Sequence, residues 1–420
     1  MKNEIKTDIA IIGAGPAGII SAIFAKSADL SVVLIDKNPI IGRKILATGN
    51  GRCNLTNSNL TIDRFHGGSC EFIKRVIDRF DQEDTISFFN KLGLLLKEEE
   101  NGRIFPRTNQ ASSVVRSLED EINRLGVRVS LGNEIRSVSN DSSGLFIIDS
   151  EQFVIRSEKL VLATGGKAAY YLGSSGDGLF WAKQFGHTIT PVYAALVPLE
   201  TIESWPKDVS GIKVEALVSV RNGGKMIASR EGDLLFTHFG LSGPAIMGLT
   251  REIASLLADQ QSVEIEIDLF PDIPSDEVDA KISAIFSSHG AKAVKNSLIG
   301  CLPQNLIPIV LKVAQINPDK KSAEVSKVER QFLVKTLKKL PLKAKNLRPL
   351  KEAQVTSGGV DLSEIDASTM MSKIVPNLYF AGEILDVDAD SGGFNLQWAW
   401  SSGYLAGISA GNSKNLEFKI

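Results

Sequence analysis

The chain has 420 residues, of which 43% are hydrophobic, so it can bury a large core and we predict two or three domains. Its formal net charge is −2 at pH 7, so the molecule as a whole has no field that would attract a polyanion or a membrane surface. The three cysteines include no CxxC pair and the four histidines have no ligand spacing, which argues against a disulfide framework and against a metal site.

The first apolar stretch, residues 9–25, is short for a membrane span and contains three glycines and a proline. The acids Glu4 and Asp8 precede it, which is not the pattern of a signal peptide. We therefore predict a cytoplasmic protein that does not associate with membranes.

This stretch has instead the pattern of a dinucleotide-binding unit. Residues 9–12 predict a buried strand, residues 19–25 a helix, and residues 32–35 a second strand that ends in Asp36. Between the first strand and the helix lies a turn formed by Gly13, Ala14, Gly15, Pro16, Ala17 and Gly18. A glycine turn that arose by chance would not have both strands and the acid in register.

Each part of this unit has a physical role. Gly13 allows the tight turn, Gly15 lets the backbone approach a pyrophosphate, and Gly18 lets the helix pack closely on the strand. The pyrophosphate would bind the free N–H groups and the positive end of the helix. The carboxylate of Asp36 would accept hydrogen bonds from ribose hydroxyls.

The next segment combines helices and short strands. Hydrophobic spacing predicts a helix over residues 71–92 and a second helix that is capped by Thr108 or Asn109 and stops at Gly126. The apolar residues 160–163 predict a buried strand that runs into a glycine turn and therefore ends near the cofactor. That turn is formed by Thr164, Gly165 and Gly166. Short strands are predicted at residues 127–130, 135–138, 145–148 and 153–155, and a further helix from about residue 177 to 185.

From about residue 191 the alternation of strand and helix stops. Strands are predicted at residues 214–220, 225–229, 234–237 and 263–267, with a glycine hairpin at 222–224, and helices between residues 275 and 340. Beyond residue 351 short buried strands and glycine turns return. We predict an α/β fold in which a discontinuous Rossmann-type domain, residues 1–190 and 352–420, carries an inserted β-barrel-like and helical region, residues 191–351.

The C-terminal region supplies a second ligand-facing element. Residues 377–380 predict a strand that leads to Gly382 and Glu383, and the glycine pair Gly392-Gly393 precedes a final helix that runs to about Ala410. The positive end of this helix would stabilise the anionic N1–C2=O region of a reduced flavin, and Glu383 could accept hydrogen bonds from ribitol hydroxyls. The alternative is a glycine-rich junction that only packs against the sheet.

The combination of motifs resembles flavoproteins of the glutathione-reductase-like two-dinucleotide-fold superfamily. More narrowly, it is similar to a bacterial family of FAD-dependent oxidoreductases that includes aminoacetone oxidase and flavoproteins resembling bile-acid dehydro-reductases. The segments that carry the resemblance are residues 42–57, 236–244, 355–360 and 392–403. It covers essentially the whole chain and implies bound FAD, a discontinuous FAD domain, and an inserted β-barrel with a helical subdomain.

The resemblance also implies which residues contact FAD. In the first part of the chain these are Gly13, Ala14, Gly15, Pro16, Ala17, Gly18, Asp36, Lys37, Arg43, Lys44, Thr48, Asn50, Gly51, Arg52, Cys53, Asn54 and Ile135. Further along the chain they are Thr164, Gly165, Gly166, Gly382, Glu383, Asp386, Gly393, Phe394, Asn395 and Leu396. Arg43 and Lys44 would supply positive charge beside a diphosphate or a reduced flavin.

Two features invite other hypotheses. Disulfide reductases of the superfamily have two cysteines close together in this region, but Cys70 is distant from Cys53, so we predict a reduced thiol near the flavin. Residues 312–351 contain twelve Lys or Arg against three Asp or Glu, with Phe332 as the single aromatic residue. Because one aromatic residue provides no stacking platform, we favour a solvated helical face over nucleic-acid binding. A third interpretation is that some of these charges attract NADPH or an anionic substrate.

The predicted function is hydride transfer between flavin N5 and a small organic substrate, with NAD(P)H as electron donor. No second glycine fingerprint is present, so NAD(P)H would bind only transiently. An oxygen-dependent oxidase of an amine or aminoketone is an alternative, and a non-catalytic flavin-binding or nucleic-acid-associated protein is a third. No acid/base pair is evident; His238 is the best candidate, although a packed or surface histidine is favoured.

Overall fold

The computed structural model describes residues 2–26 and 29–411, so residues 412–420 of the predicted final segment lie outside the described part. The first segment of the chain contains β1 (Asn3–Ile12), α1 (Pro16–Ala25), β2 (Val32–Ile35), α2 (Arg43–Ala47), β3 (Thr56–Asn57), β4 (Phe65–Gly67), α3 (Cys70–Ile77), α4 (Gln82–Lys91), β5 (Leu96–Glu99), β6 (Arg103–Pro106), α5 (Ala111–Leu125), β7 (Arg128–Ser130), β8 (Ile135–Asn140), β9 (Phe146–Ser150), β10 (Phe153–Leu162), α6 (Asp177–Gln184) and β11 (Tyr193–Ala195).

The middle segment contains β12 (Leu199–Thr201), β13 (Lys213–Asn222), β14 (Lys225–Thr237), β15 (Gly240–Ser242), α7 (Pro244–Met247), α8 (Thr250–Ala258), β16 (Glu264–Asp268), α9 (Ser275–Ser288), α10 (Val294–Ser297), α11 (Ile307–Val313), α12 (Lys327–Lys338) and β17 (Leu340–Leu347). The last segment contains β18 (Val355–Ser357), β19 (Leu378–Phe380), β20 (Val387–Ala389) and α13 (Phe394–Ala410). The chain divides into two compact units, one comprising the residues up to 193 and from 354 onward, the other residues 194–353.

The first unit is organised around a seven-stranded sheet in the order β7-β2-β1-β10-β9-β8, with β19 paired to β10. Strands β7, β2, β1, β10 and β19 are parallel, whereas β9 runs antiparallel to β10. The four residues of β2 and the last four of β1 are buried, as expected for parallel strands covered on both faces. This is the predicted Rossmann-type α/β architecture.

The last segment rejoins the first in this unit. Strand β19 extends the parallel sheet beside β10, and α13 packs against α1 at very short distance. A Cβ added at Gly403 would lie 2.5 Å from the backbone oxygen of Ala17, and one added at Gly407 would lie 2.6 Å from that of Ser21. The hydroxyl of Ser21 donates to the carbonyl of Gly403 at 3.0 Å. The Rossmann-type domain is therefore discontinuous in sequence.

Four local predictions were wrong. Strand β14 is continuous over Lys225–Thr237, where separate strands were predicted at residues 225–229 and 234–237. The region predicted as one helix over residues 71–92 forms two helices, because Asp81 accepts from the amides of Glu83 and Asp84 and starts α4. Neither Thr108 nor Asn109 caps α5, which begins after Gln110, although Gly126 does end it in a left-handed conformation. Strand β10 is continuous through residues 153–162, where two separate strands were predicted.

The second unit is a closed barrel with helices attached. Its strands follow the order β12-β15-β14-β13-β16-β17, and β13 and β14 are joined by the predicted hairpin. The barrel and helices α9, α11 and α12 share one hydrophobic core, separate from that of the first unit. The predicted inserted β-barrel with a helical part is thus confirmed. Among the residues the structure describes, no helix has the length and apolarity needed to cross a membrane, and no group of acidic, histidine and cysteine side chains could hold a metal ion.

Candidate functional site: the edge of the parallel sheet

The three glycines of the first turn lie in different surroundings. Gly13 has φ +106°, and a Cβ there would lie 2.3 Å from the carbonyl oxygen of Ala163. A Cβ at Gly18 would lie 1.8 Å from the carbonyl oxygen of Gly13, so packing alone requires both glycines. A Cβ at Gly15 would meet nothing within 4 Å, so this residue borders open space at the N-terminus of α1. A pyrophosphate fits at this point because a helix start offers N–H donors.

Asp36 ends β2 beside this turn. Its Oδ2 accepts from the amide of Ala14 at 2.6 Å, and its Oδ1 accepts from the amide and the side chain of Asn38 at 2.7 and 2.9 Å. Asp36 lines a cavity of about 40 Å³ together with Gly13, Asn133, Ile135 and Thr164.

Two polar atoms bordering this cavity are unsatisfied. Within residues 2–26 and 29–411, the buried Oγ1 of Thr164 and the buried Oδ1 of Asn133 have no hydrogen-bond partner. Buried polar atoms normally have partners, so this pair suits a polar ligand such as an adenosine. A second, polar cavity of about 380 Å³ adjoins the first and is bordered by Arg43, Tyr170 and Tyr171.

Lys37 and Arg43 are held at this outer cavity by polar contacts. The Lys37 ammonium contacts the carboxylate of Asp177 at 2.7 Å and the hydroxyl of Ser175. The Arg43 guanidinium donates to Oδ1 of Asn38 at 2.7 Å. Both cations are therefore held at the border of the outer cavity.

The loop after α2 has a strained backbone. Positive φ angles occur at Gly49, Asn50, Gly51 and Cys53, and two of these residues are not glycine. Such strain is characteristic of ligand-binding segments. Thr48 donates to the carbonyl of Ile45, and the buried Oδ1 of Asn54 has no partner in the described part of the chain. Exposed glycines beside an unsatisfied amide suit the close approach of a flat ring.

The predicted FAD residues Arg52 and Cys53 are held by neighbouring protein groups. The Arg52 guanidinium pairs with Glu99 at 2.5 Å, donates to Asn109 and lies 4.1 Å from the centre of the Phe105 ring. Hydrogen bonds from Arg52 and Lys97 lower the pKa of Glu99 to about 2. Cys53 is buried and free, and burial raises the pKa of its thiol to about 12, so a thiolate is strongly disfavoured.

Glu383 connects three segments of the site. One carboxylate oxygen accepts from the amide of Thr356 at 2.7 Å, and the other contacts the Lys44 ammonium at 2.5 Å. The hydroxyl oxygen of Thr356 in turn accepts from the amides of Lys167 and Ala168 at 2.8 and 2.9 Å. The carboxylate of Glu383 was predicted to accept hydrogen bonds from ribitol hydroxyls. Both of its oxygens already contact groups of the protein. Glu383 joins α2, β18 and the turn after β10.

The turn after β10 and the turn at Gly382 have no room for larger side chains. A Cβ at Gly165 would lie 2.8 Å from the hydroxyl of Ser174, and one at Gly166 would lie 2.3 Å from that of Thr356. Gly382 has φ +78° and donates from its amide to Ser402 at 2.9 Å. These glycines hold the chain where the strands end.

The N-terminus of α13 completes the edge. Gly393 has φ +104°, and a Cβ there would lie 2.5 Å from the carbonyl oxygen of Thr56. The first helical bond runs from Gln397 to Gly393, so the amides of residues 394–396 precede it and are available as donors. The side chain of Asn395, however, bonds the backbone of Ala389 and Asp390, and Phe394 and Leu396 are buried. Asp386 lies just before β20, and its amide donates to Val360.

Sequence reasoning missed the polar residues that position this helix. Gln397 is fully buried and bonds Thr56, Thr85 and the carbonyl of Phe80. The indole N–H groups of Trp398 and Trp400 donate to the carbonyls of Gly382 and Leu55. Polar residues within an apolar helix were the available signal, since buried polar groups need partners.

The remaining candidates lie in the second unit. His238 is exposed in the turn between β14 and β15, as the favoured interpretation of a surface histidine expected. Several cations of residues 312–351 form ion pairs with acids of the same unit. These pairs are Lys320–Glu329, Arg330–Asp279, Lys338–Asp268 and Arg348–Glu200.

The fold and this strand edge define a Rossmann-type flavoprotein of the FAD-dependent oxidoreductase class. Over residues 7–409 the sequence matches the family described as HI0933-like protein Rossmann domain, and the chain belongs to that family. The resemblance predicted from the sequence motifs is thereby confirmed.

Curated relatives from Clostridium scindens and Escherichia coli match nearly the full length. The chain is 34% identical over 404 residues to the 3-dehydro-bile acid delta(4,6)-reductase of Clostridium scindens, covering 96% of this chain and 98% of the relative. It is 35% identical over 400 residues to the ribosomal RNA dihydrouridine synthase of Escherichia coli, covering 94% and 96%. The solved 3-ketosteroid delta1-dehydrogenase of Sterolibacterium denitrificans has a TM-score of 0.54 at 13% identity, with 97% and 100% coverage, which shows a shared fold alone.

Proposed function

We propose that this protein is a reductase that takes electrons from NAD(P)H and transfers hydride to an electron-poor C=C bond of a small organic substrate. The observation that carries the proposal is the series of open or unsatisfied positions along the strand ends, at Gly15, Thr164 and Asn54. FAD bound there would supply hydride at its N5 atom.

The proposed contacts along the strand ends bind the adenosine, the pyrophosphate and the flavin in turn. Asp36, Asn133 and Thr164 would hold the adenosine, and the α1 N-terminus at Gly15 would hold the pyrophosphate. The loop around Asn50 and Asn54, together with Lys44 and the α13 N-terminus, would surround the flavin. A helix N-terminus favours negative charge, so the α13 N-terminus would stabilise the reduced ring, whereas the charge of Lys44 is balanced by Glu383.

The substrate class is inferred from what the Clostridium scindens and Escherichia coli relatives have in common. One is named for reducing the delta(4,6) bonds of a 3-dehydro bile acid, and the other for making dihydrouridine in ribosomal RNA. In both compounds the reduced double bond is conjugated to a carbonyl group. Conjugation makes the distant carbon electron-poor and therefore able to accept hydride. We infer that this chain acts on a bond of the same kind.

Uridine in RNA is the second candidate substrate, favoured by the identity to the Escherichia coli relative. The charges of residues 312–351 give it less support, because several of them are neutralised by acids within the unit. We therefore keep the sequence-based prediction of a small-molecule substrate.

We also propose that residues 1–190 and 352–420 form the FAD domain and residues 191–351 the substrate-side domain. A cytoplasmic location stays a prediction.

Anaerobic mixing with NADH or NADPH tests the proposal. We expect one of the two to bleach the flavin absorbance, and a 3-oxo-4,6-diene bile acid or cyclohexenone to restore it without oxygen. Restoration only by a uridine-containing ribosomal RNA transcript would favour the second candidate.

Other outcomes contradict the reductase. Bleaching by aminoacetone, with recovery only in air, would indicate the oxidase alternative. A flavin that none of these donors reduces would indicate a non-catalytic flavin-binding protein.

A further inference from the structure

A histidine–aspartate pair lies next to the start of α13. His66 is the central residue of β4, which pairs antiparallel with β20, and Asp388 lies directly opposite it. Nε2 of His66 lies 2.9 Å from Oδ1 of Asp390. The Asp390 side chain is 3% exposed and that of His66 is 28% exposed, so a buried carboxylate orients a ring that solvent or a ligand can reach. Arg64 contacts the other oxygen of Asp390 at 3.3 Å.

The pair is tied to the helix terminus proposed to contact the flavin. The backbone carbonyl of Asp390 accepts from the side chain of Asn395, in the first turn of α13. The Phe65 ring packs edge-on against Phe394, with centroids 6.1 Å apart, and the Arg64 guanidinium lies 6.0 Å from the centre of the Phe394 ring. His66 therefore belongs to the same local assembly as the α13 N-terminus.

The proposed reaction requires a proton as well as a hydride. Adding hydride to one carbon of a conjugated C=C bond leaves the electron pair on the neighbouring carbon and the carbonyl oxygen. A proton must then reach that neighbouring carbon, and histidine is the side chain that most often performs such transfers near neutral pH.

Of the two histidines in the first unit, His66 has the suitable arrangement. His187 is buried, with one ring nitrogen 2.9 Å from Glu364 and the other 2.8 Å from Ser372, so both its nitrogens are occupied. The Nε2 atom of His66 faces Asp390, which leaves Nδ1 to act on a ligand. A histidine oriented by a carboxylate is a recurrent arrangement for proton transfer.

We infer that His66 is the proton donor of the reductase and that Asp390 is its positioning residue; this inference rests on the proposed function. The imidazolium gives its Nδ1 proton to the carbon next to the carbonyl, while Nε2–H stays bonded to Asp390. Bound FAD would relay the hydride, with its electron pair, from NAD(P)H. A solvent proton restores the imidazolium of His66. The substrate C=C bond thereby becomes a C–C single bond with two new C–H bonds, and NAD(P)H and one proton are consumed as NAD(P)⁺ forms.

The test separates the two half-reactions in His66→Gln and Asp390→Asn, with His289→Gln as the control. His289 is an exposed histidine of the second unit whose Nδ1 lies 3.2 Å from the carbonyl oxygen of Ile285. We expect all three variants to keep the wild-type FAD content and the wild-type rate of flavin bleaching by NAD(P)H. The substrate that reoxidises the wild-type flavin, either the 3-oxo-4,6-diene bile acid or cyclohexenone, is then added. We expect the rate of flavin reoxidation to be lower by about 100-fold or more in His66→Gln, the usual effect of a general acid. Asp390→Asn should be slowed less, and His289→Gln not at all.

The possible failures are distinguishable. Reoxidation of His66→Gln within about threefold of wild type would overturn the proton-donor assignment while leaving the reductase intact. Loss of FAD from His66→Gln and Asp390→Asn would also overturn the proton-donor assignment, since the pair would then be needed to bind the cofactor. A wild-type protein that neither NADH nor NADPH reduces would refute the proposed function itself.

Discussion

At the scale of single residues, the glycines of the first turn separate folding from ligand binding. Gly18 is surrounded by backbone, whereas Gly15 borders empty space. The same substitution should therefore affect FAD binding at Gly15 and folding stability at Gly18.

We expect Gly15→Ala to leave the stability of the apoprotein unchanged and to weaken FAD binding by at least about tenfold, because its methyl group enters the proposed pyrophosphate space. Gly18→Ala should lower the free energy of unfolding by about 1–3 kcal/mol. Alanine is favoured over glycine in helices by up to about 1 kcal/mol, so a net loss would have to come from the 1.8 Å contact with Gly13. Urea unfolding of apoprotein and FAD titration measure the two effects. Normal FAD affinity in Gly15→Ala would contradict the proposed pyrophosphate position.

At the scale of elements, the pairing of α1 with α13 joins the two ends of the chain. The helices approach closely because α13 has glycines at positions 403 and 407. We expect Gly403→Ala to cost about 1–3 kcal/mol of unfolding free energy, since its Cβ would lie 2.5 Å from the Ala17 carbonyl oxygen. Ser409→Ala, on the same helix, is the control and should change little. Equal stability of the two variants in urea would show that the helices can separate without cost.

The stability contributed by the N-terminus of helix α12 should depend on pH. Ser326 and Glu329 form a capping box, and the contact of Glu329 with Lys320 lowers its pKa to about 2. Because this pKa lies below the value of the unfolded chain, the stabilisation is present above about pH 4.5 and is lost as the pH falls toward 2.

We expect Glu329→Gln to be less stable than wild type at pH 7 and to approach wild type near pH 2. Glu324→Gln, at an exposed acid of the preceding turn, should match wild type at both values. Urea unfolding at the two pH values provides the measurement. If the unfolding free energies of Glu329→Gln and wild type differ by the same amount at both pH values, the charge of Glu329 does not contribute to stability.

At the scale of the whole molecule, the two units have separate hydrophobic cores. Units with their own cores can unfold in separate transitions. FAD should stabilise the first unit by about 2.7 kcal/mol when its free concentration is 100 times its Kd.

Calorimetry of the full chain should therefore show two transitions. FAD should raise the midpoint temperature of one and leave that of the other unchanged. Leu333→Ala, in the buried face of α12, should lower the FAD-insensitive transition, with a cost of about 2–5 kcal/mol. A single transition that FAD and Leu333→Ala both move would mean that the units unfold together.

Much of this organisation could be predicted from sequence because it depends on local order. The unit from β1 to Asp36 is contiguous, so its glycines, strand lengths and acid are readable along the chain. The helix break at Asp81 was missed because the hydrophobic spacing continues across it, whereas the break depends on side-chain bonds to Glu83 and Asp84.

The Rossmann-type class, the inserted barrel and the family could therefore be inferred from local patterns along the chain. Which groups meet at the strand edge depends on the three-dimensional fold. Lys44 and Glu383 are 339 positions apart, and His66 and Asp390 are 324 apart. Such pairs depend on how β19 and β20 align with strands from the other end of the chain. That alignment is set by the packing of the whole unit, which no local pattern of residues records.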